Sequence, residues 1–199
     1  MDTFDLHTPI FPETMLDAAK NYLELLGKWN AVHSITGLAP ETRFEALLLD
    51  SAALLPHLAD LPPGALVADF GSGMGVPAIV LAAHRPDIRV AAIDRSRKKS
   101  AFVHQAALEL GLGNLNAVCG AIESIQPLGA QLGTAKAVGP LEALLGWWKR
   151  HSAEGAPFLS FRGSKWNVDK IGDGWESEIF PYRLPTMGER AIFKLYRAK

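Results

Sequence analysis

The sequence predicts an α/β protein in which a mostly parallel sheet follows a set of N-terminal helices. Three observations lead to this prediction. Apolar residues recur at helical spacing in residues 12–58, short apolar strands alternate with helices in residues 65–161, and two strands follow one another directly in residues 178–196. Alternating strands and helices form a parallel sheet with helices on both faces, whereas two strands joined by a short turn form an antiparallel hairpin.

The N-terminal part is predicted to contain two helices. The first runs from Pro12 to Trp29 and presents one apolar face, which consists of Leu16, Ala19, Leu23 and Leu26. The second runs from Pro40 to about Leu58, and the breaker segment at residues 60–64 ends it. We therefore expect an N-terminal helical extension, residues 1–62, packed on the core, and a main domain at residues 63–199.

The main domain is predicted to alternate strands with helices. Strands are expected at residues 65–70, 88–94, 115–119, 133–138 and 158–161, and helices at 76–84, 96–110 and 141–150. Ser96 can cap the helix that ends at Leu110, and Gly111 supplies the left-handed residue that stops it. Strands 178–184 and 190–196 are expected to form the terminal hairpin.

Composition and charge indicate a globular chain without a strong charge. Hydrophobic residues make up 48% of the 199 residues, which is enough for a core, and the net charge is −1, which argues against strong non-specific nucleic-acid binding. Residues 1–94 hold 5 Lys and Arg against 12 Asp and Glu, whereas residues 95–199 hold 15 against 9, so one basic face is expected. We expect neither a membrane span nor a signal peptide.

Cys119 is the only cysteine and cannot form an internal disulfide. This fits a reducing cytoplasm, where we expect the protein to reside. Because Cys119 falls in a predicted strand, we expect a small buried hydrophobe. The six histidines lack metal-ligand spacing, so no metal site is expected.

The loop at residues 71–75 is the sharpest functional signal. Gly71, Gly73 and Gly75 let backbone N–H groups approach a ligand, and the helix that starts at Val76 favours negative groups at its N-terminus. A plain tight turn is the alternative interpretation. An NAD-binding loop needs a third glycine three residues after the second, at the position of Val76. The spacing therefore favours S-adenosylmethionine, whose carboxylate can use this helix end.

Two acidic residues support the same prediction. Asp69 directly precedes the loop and can accept hydrogen bonds within it or meet the cofactor's ammonium group through water. Asp94 ends the second strand, where a carboxylate can accept both hydroxyls of a ribose. A helix cap at the strand end is the alternative role for Asp94. With the terminal hairpin, these residues predict a Rossmann-like class I methyltransferase sheet.

The order of motifs resembles that of the GidB family, also called RsmG, bacterial methyltransferases of guanine N7 in small-subunit rRNA. The similar segments are residues 27–30, 49–51, 68–77, 93–96 with 98–99, and 120–123. The resemblance implies S-adenosyl-L-methionine as cofactor and 16S ribosomal RNA or the small ribosomal subunit as partner, with the protein as a monomer. It implies that the cofactor contacts are Asp69, Gly71, Gly73, Gly75, Val76, Asp94, Ile122, Glu123 and Lys136.

Within that resemblance, Ile122 and Glu123 frame the adenine, and Lys136 lies near the cofactor's carboxylate or an RNA phosphate. Lys136 and Arg162 are the expected substrate contacts. No catalytic residue is expected, because the lone pair of guanine N7 is already nucleophilic and needs no proton removed. Alignment of the reactants and exclusion of water then suffice.

Basic and aromatic residues suggest RNA contact. Arg95, Arg97, Lys98 and Lys99 follow the second strand, and a second group consists of Lys136, Lys149, Arg150, Arg162 and Lys165 with Trp147, Trp148 and Trp166. These residues can hold phosphates and stack bases. Alternatively, Trp147 and Trp148 belong to the hydrophobic core and do not contact RNA.

Several positions depart from the family pattern, including the missing Phe-Asp near residues 130–133. Ser34-Ile35-Thr36 stands for Asn-Leu-Thr, Leu47 for a histidine, Lys136 for an arginine and Arg162 for a lysine. An arginine-to-lysine change keeps the charge but loses the planar fork. Two alternatives therefore remain open: a methyltransferase of the same fold that acts on another RNA or a small molecule, and a cofactor-binding paralogue without catalysis.

Overall fold

The computed structural model describes residues 6–163, 171 and 174–198, and these residues form a seven-stranded sheet. The strands are β1 (Leu66–Phe70), β2 (Arg89–Asp94), β3 (Leu115–Cys119), β4 (Leu132–Ala135), β5 (Phe158–Arg162), β6 (Trp175–Leu184) and β7 (Gly188–Arg197). Their order is β3-β2-β1-β4-β5-β7-β6. The first five strands pair in parallel, and β7 runs antiparallel to β5 and β6. The Rossmann-like sheet with its terminal hairpin is thus confirmed.

The α-helices are α1 (Leu16–His33), α2 (Asp50–Ala52), α3 (Ala78–His84), α4 (Arg97–Glu109) and α5 (Leu141–His151). A 3₁₀ turn, Glu13–Met15, precedes α1, which therefore begins and ends about four residues later than predicted. The predicted cap at Ser96 and the predicted left-handed residue at Gly111 are both present at the ends of α4. The Ser96 side chain accepts a hydrogen bond from the Lys99 amide (3.4 Å), and Gly111 has φ +67°.

The second predicted helix, residues 40–58, is not one regular helix. It consists of a 3₁₀ turn (Pro40–Thr42), a π-helix (Phe44–Leu49), α2 and a second 3₁₀ turn (Leu55–Leu58). The Ser51 hydroxyl donates to the Leu47 carbonyl within this segment. A π-turn inserts one residue into the helical repeat, which ordinary apolar periodicity does not reveal.

The core lies on both faces of the sheet. On one face, the N-terminal helices, α3 and α4 bury a common cluster with Val67, Val90 and Leu132 of the strands. Tyr22 and Leu48 of the N-terminal part belong to this cluster and are almost fully buried. On the other face, α5 covers a smaller cluster around Phe70, Trp148 and Phe158. The N-terminal helices therefore pack on the same core as the sheet.

The prediction that Cys119 is buried is wrong. Cys119 is exposed because it is the last residue of β3, which lies at the edge of the sheet. Short apolar strands look alike in sequence whether they lie at the centre or at the edge of a sheet. In the ranges that the structure describes, no helix combines the length and the apolar character that a membrane span requires.

Candidate functional site

A cleft of about 690 Å³ opens at the carboxyl ends of β1, β2, β3 and β4. Its lining includes residues at or directly after each of these strands, among them Gly71, Asp94, Gly120 and Ala137. Parallel α/β sheets bind ligands at this edge, and the volume lies within the usual range for a small-molecule site. Of the predicted cofactor contacts, Gly71, Asp94, Ile122 and Glu123 line the cleft.

The glycine loop adopts conformations that require glycine. Gly71, Gly73 and Gly75 have φ values of +65°, +56° and +82°. A Cβ on Gly71 would lie 2.5 Å from a methyl group of Val138, whereas a Cβ on Gly73 would meet nothing closer than 3.9 Å. The space beside Gly73 therefore leaves its backbone accessible to a ligand. Val76, the last predicted contact of the loop, is buried.

Asp94 connects the glycine loop to the start of α4. Its Oδ2 accepts a hydrogen bond from the Gly73 amide (2.9 Å), and its Oδ1 accepts one from the Ser96 amide (2.8 Å). The carboxylate thereby orders the loop, which is the cap-like role that the sequence left open. Each oxygen retains a second lone pair, so both can still accept a hydroxyl group from the cleft.

Asp69 is fully buried behind the loop. Its Oδ1 accepts a hydrogen bond from the Thr134 hydroxyl (2.9 Å), whereas its Oδ2 has no hydrogen-bond partner among the described residues. Burial raises the pKa of this carboxyl to about 7, and hydrogen bonds from the Thr134 hydroxyl and the Ala78 backbone oppose that rise only in part. The buried Ser72 hydroxyl also lacks a partner in the described ranges. These two buried polar groups lie behind the loop and are not part of the cleft lining.

The segment after β3 forms the opposite wall of the cleft. Ile122–Ser124 is a 3₁₀ turn closed by a hydrogen bond from the Ser124 amide to the Ala121 carbonyl (2.9 Å). Ile122 is buried and Glu123 is exposed. The first N–H groups of a helical turn have no partner within the turn. Ile122 and Glu123 both line the cleft, and the amides that begin the turn have no partner within it.

Lys136, which the resemblance predicts near the cofactor's carboxylate or an RNA phosphate, has its partners within the protein. Its Nζ lies 2.8 Å from Asp50 Oδ2 and donates to the Ala46 carbonyl (2.6 Å). The ammonium also lies 5.4 Å from the centre of the Phe161 ring. Burial lowers the pKa of Lys136, and the charge of Asp50 counteracts this effect. Lys136 is thus bound to the N-terminal part, although Ala137 and Val138, which follow it, line the cleft.

Asp50 joins three parts of the chain. Besides Lys136 at the end of β4, it accepts a hydrogen bond from the Tyr182 hydroxyl (2.6 Å) and lies 3.8 Å from Arg190 Nε. Tyr182 and Arg190 belong to β6 and β7. Burial, followed by the charge of Asp50, raises the pKa of the Tyr182 hydroxyl, which therefore stays protonated as a donor.

The predicted substrate contacts and aromatic residues fall into different environments. Arg162 ends β5, its guanidinium lies 5.8 Å from the centre of the Phe193 ring, and its Nη2 is buried without a hydrogen-bond partner among the described residues. Burial lowers the pKa of Arg162. Trp148 is fully buried, as the core alternative requires, whereas Trp147 lines the cleft. Two further residues of the predicted group, Lys165 and Trp166, lie outside the described residues.

Two contacts of the site were not predicted from the sequence. The Tyr22 hydroxyl of α1 donates to the Met74 carbonyl in the glycine loop (3.0 Å), and Thr134 donates to Asp69. The signal available was weak: a tyrosine on the apolar face of a helix needs a partner for its hydroxyl when it is buried. The sequence does not indicate which partner.

The residues at the cleft fit S-adenosylmethionine. The loop offers Gly71 at the cleft lining and open space beside Gly73 for the polar amino-acid end. Asp94 offers paired carboxylate oxygens for a ribose. Within the described ranges, no group of three or more His, Cys, Asp or Glu residues is arranged to hold a metal ion.

Comparison with solved structures supports the fold. A SAM-dependent methyltransferase from Aquifex aeolicus is similar with a TM-score of 0.59 at 16% identity, over 77% of this chain and 92% of that one. TYW2 of P. horikoshii is similar with a TM-score of 0.59 at 13% identity, over 76% of this chain and 62% of that one. At these identities the likeness shows a shared methyltransferase fold.

Comparison with sequences shows the family. The curated relatives include "Ribosomal RNA small subunit methyltransferase G" of Methylobacillus flagellatus, 44% identical over 58% of this chain and 55% of the relative. The protein of the same name from Neisseria meningitidis serogroup A is 35% identical over 76% of this chain and 72% of the relative. The GidB family model, described as rRNA small subunit methyltransferase G, matches residues 15–175. The chain therefore belongs to the GidB family.

Proposed function

We propose that this protein transfers a methyl group from S-adenosylmethionine to guanine N7 of 16S rRNA in the small ribosomal subunit. The observation that supports this most directly is the hydrogen bond between the Gly73 amide and Asp94 Oδ2, which brings the glycine loop and the acid of β2 to one cleft. The names of the relatives supply the class of substrate. We propose that the protein acts on ribosomal RNA in the cytoplasm and that it does so as a monomer.

The cofactor would be held by the loop and the two strand ends that border the cleft. The proposed contacts are Asp69, Gly71, Gly73, Gly75, Val76, Asp94, Ile122 and Glu123. Asp94 would bind the ribose through the free lone pairs of its two oxygens. The 3₁₀ turn at Ile122–Ser124 would bind the purine through backbone donors.

Methyl transfer to guanine N7 requires no general acid or general base. The bound cofactor supplies an electrophilic methyl group on a sulfonium, and guanine N7 presents a lone pair without a proton. The residues of this chain then need only to align the base and exclude water. We therefore assign no general base to the cleft.

The substrate side is proposed to be basic. Arg95 and Lys99 line the cleft, and Arg162 ends the neighbouring strand β5. Arginine and lysine side chains bind RNA phosphates. Lys136 would position Ala137 and Val138, which follow it in the chain and line the cleft.

We propose that residues 1–62 form a helical extension of the catalytic domain at residues 63–199.

Cofactor binding is tested by calorimetry with S-adenosylhomocysteine. We expect binding by the wild-type protein and at least about tenfold weaker binding by Asp94→Ala, because the ribose hydroxyls lose charge-assisted hydrogen bonds. Asp60→Ala changes an exposed acid outside the cleft and serves as control. No binding by the wild-type protein at millimolar ligand, or unchanged affinity in Asp94→Ala, would contradict this part of the proposal.

Substrate choice is tested on ribosomes. Small subunits from cells that lack the gene should carry one N7-methylguanosine fewer in 16S rRNA, and the purified protein should restore it.

The second candidate function is that of a methyltransferase of the same fold that acts on another RNA or a small molecule. It is favoured by Leu47, which is buried in the core at the position where the family has a histidine. Unchanged 16S methylation in the deletion strain, together with cofactor binding, would select the second candidate.

A further inference from the structure

The C-terminal end of α5 holds the 3₁₀ turn that borders the cleft. Arg150 Nη1 donates to the Glu123 carbonyl (2.6 Å), and Arg150 Nη2 donates to the Ile125 carbonyl (3.1 Å). The neighbouring His151 places Nε2 3.0 Å from the Ile122 carbonyl. Two consecutive side chains of one helix therefore bind three carbonyl groups within four residues of the turn. A single contact of this kind is common, but three contacts to one short segment determine its orientation.

His151 is rigidly held at this position. Its ring is fully buried and packs edge-on against Phe70, with ring centres 5.7 Å apart, and Phe70 itself lines the cleft. Because a carbonyl oxygen can only accept, Nε2 carries the proton and donates to Ile122. The His151 carbonyl accepts a hydrogen bond from the Ala130 amide (2.9 Å), which fixes the end of the helix. The donor that reaches Ile122 is thus fixed in both position and tautomer.

The orientation of these carbonyls determines where the amides of the turn point. In a trans peptide, the C=O group and the N–H group of the next residue point in opposite directions. With the Ile122 carbonyl bound by His151, the amide of Glu123 points away from His151. This amide belongs to the N–H groups that the turn leaves without an internal partner. Ile122 and Glu123 both line the cleft, so the bound carbonyls lie behind a donor that is available to a ligand.

We infer that Arg150 and His151 are positioning residues that set the backbone donors of residues 122–123 against the purine of the methyl donor, and that they thereby select a 6-aminopurine. This inference rests on the proposed function, because the purine is that of the cofactor. Adenine presents an acceptor nitrogen next to its amino group, and a fixed N–H group complements it. Hypoxanthine presents an N–H at the same ring position, so a fixed donor would oppose it. A loosely held turn could rotate its peptide groups and would discriminate less.

The test compares the affinities for S-adenosylhomocysteine and S-inosylhomocysteine by calorimetry. We expect the wild-type protein to prefer the adenine compound, and we expect Arg150→Ala and His151→Phe to reduce the ratio of the two affinities by at least about tenfold. His151→Gln, which can place an amide donor near the position of Nε2, should restore part of the ratio. Arg150→Lys should restore less, because it keeps the charge but loses the fork that binds two carbonyls.

Lys149→Ala is the matched control. Lys149 is an exposed cation on the same helical turn, and its recorded contact is with the Trp175 ring (5.9 Å). This variant should keep the wild-type ratio. Arg150 is exposed as well, so Arg150→Ala tests the inference even if the buried substitution at His151 prevents folding.

Two outcomes would overturn the inference. One is an unchanged ratio in a folded Arg150→Ala protein, and the other is an equal loss of affinity for both compounds, which indicates a merely structural role. In either case the proposed function stands as long as the wild-type protein binds S-adenosylhomocysteine. Failure of the wild-type protein to bind it would instead refute the proposed function itself.

Discussion

Asp50 Oδ2 lies 2.8 Å from Lys136 Nζ, and the two side chains are only 3% and 14% exposed. This ion pair joins the N-terminal helices to the residue that follows β4. Because Ala137 and Val138 come next in the chain and line the cleft, the pair fixes the start of a cleft-forming loop. The Leu49-Asp50-Ser51 segment, which resembles a family motif, therefore has a structural role that its position in the sequence does not reveal.

Asp50→Asn should lower the free energy of unfolding by about 3–5 kcal/mol, because it leaves the Lys136 ammonium buried without a counter-charge. Urea unfolding followed by circular dichroism measures the loss. Glu189→Gln is the control, since the Arg183–Glu189 pair is exposed by more than half on both sides and should contribute less than about 1 kcal/mol. Equal losses in the two variants would show that burial adds nothing to the Asp50 pair.

Gly71→Ala should impair both stability and cofactor binding. A residue with a side chain pays about 1–2 kcal/mol at the φ of +65° that Gly71 adopts, and the new Cβ would also collide with Val138. Gly64→Ala is matched in backbone, with φ +78°, but its Cβ would meet nothing within 4 Å. We expect affinity for S-adenosylhomocysteine to fall at least about tenfold in Gly71→Ala alone. Similar affinity in both variants would contradict a role for the shape of this loop.

The sheet and its polarity could be predicted because they depend on local patterns. Short apolar runs bounded by glycine and proline mark the strands, and the observed β3 has the predicted bounds of residues 115–119. Gly71, Gly73 and Gly75 were found for the same reason, since glycines in a strand-to-helix turn stand out in the sequence. Asp94 ends β2 as predicted.

Contacts between distant residues could not be predicted in this way. Asp50 and Tyr182 are 132 positions apart, and neither residue type specifies the other as its partner. The resemblance implied a cofactor or phosphate as the partner of Lys136, and a lysine after a strand carries no sign of a buried carboxylate elsewhere. His151 and Arg150 were missed as supports of residues 122–125 for the same reason.

Asp69 should make folding stability depend on pH. Its pKa rises from 3.8 to about 7 on folding because the carboxyl is buried. Below about pH 4 the group is protonated in both states and its contribution is fully present. Between about pH 4 and pH 7 only the unfolded chain loses the proton, so stability falls by roughly 1.4 kcal/mol for each pH unit. Above that range the contribution is lost.

Asp69→Asn removes this titration. We expect the wild-type free energy of unfolding, measured in urea from pH 4 to pH 8, to fall relative to that of Asp69→Asn between pH 4 and pH 7 and to level off above pH 7. The difference between the two proteins isolates Asp69 from the other acids. Parallel pH profiles would show that the folded and unfolded states bind this proton equally.

Ser34→Asn should stabilise the protein. Ser34 ends α1 in the left-handed conformation, with φ +50° and ψ +53°, where side chains other than asparagine and glycine are disfavoured. Ser34 is exposed, so the longer side chain has room, and the resemblance to the family implies asparagine at this position. We expect a gain of about 0.5–1 kcal/mol, which corresponds to a rise in Tm of roughly 1–4 °C for a chain of this size. Ser34→Gly should give a similar gain because it relieves the same backbone strain, and Ser34→Ala should give none. If all three variants unfold at the wild-type temperature, the backbone at residue 34 is not strained.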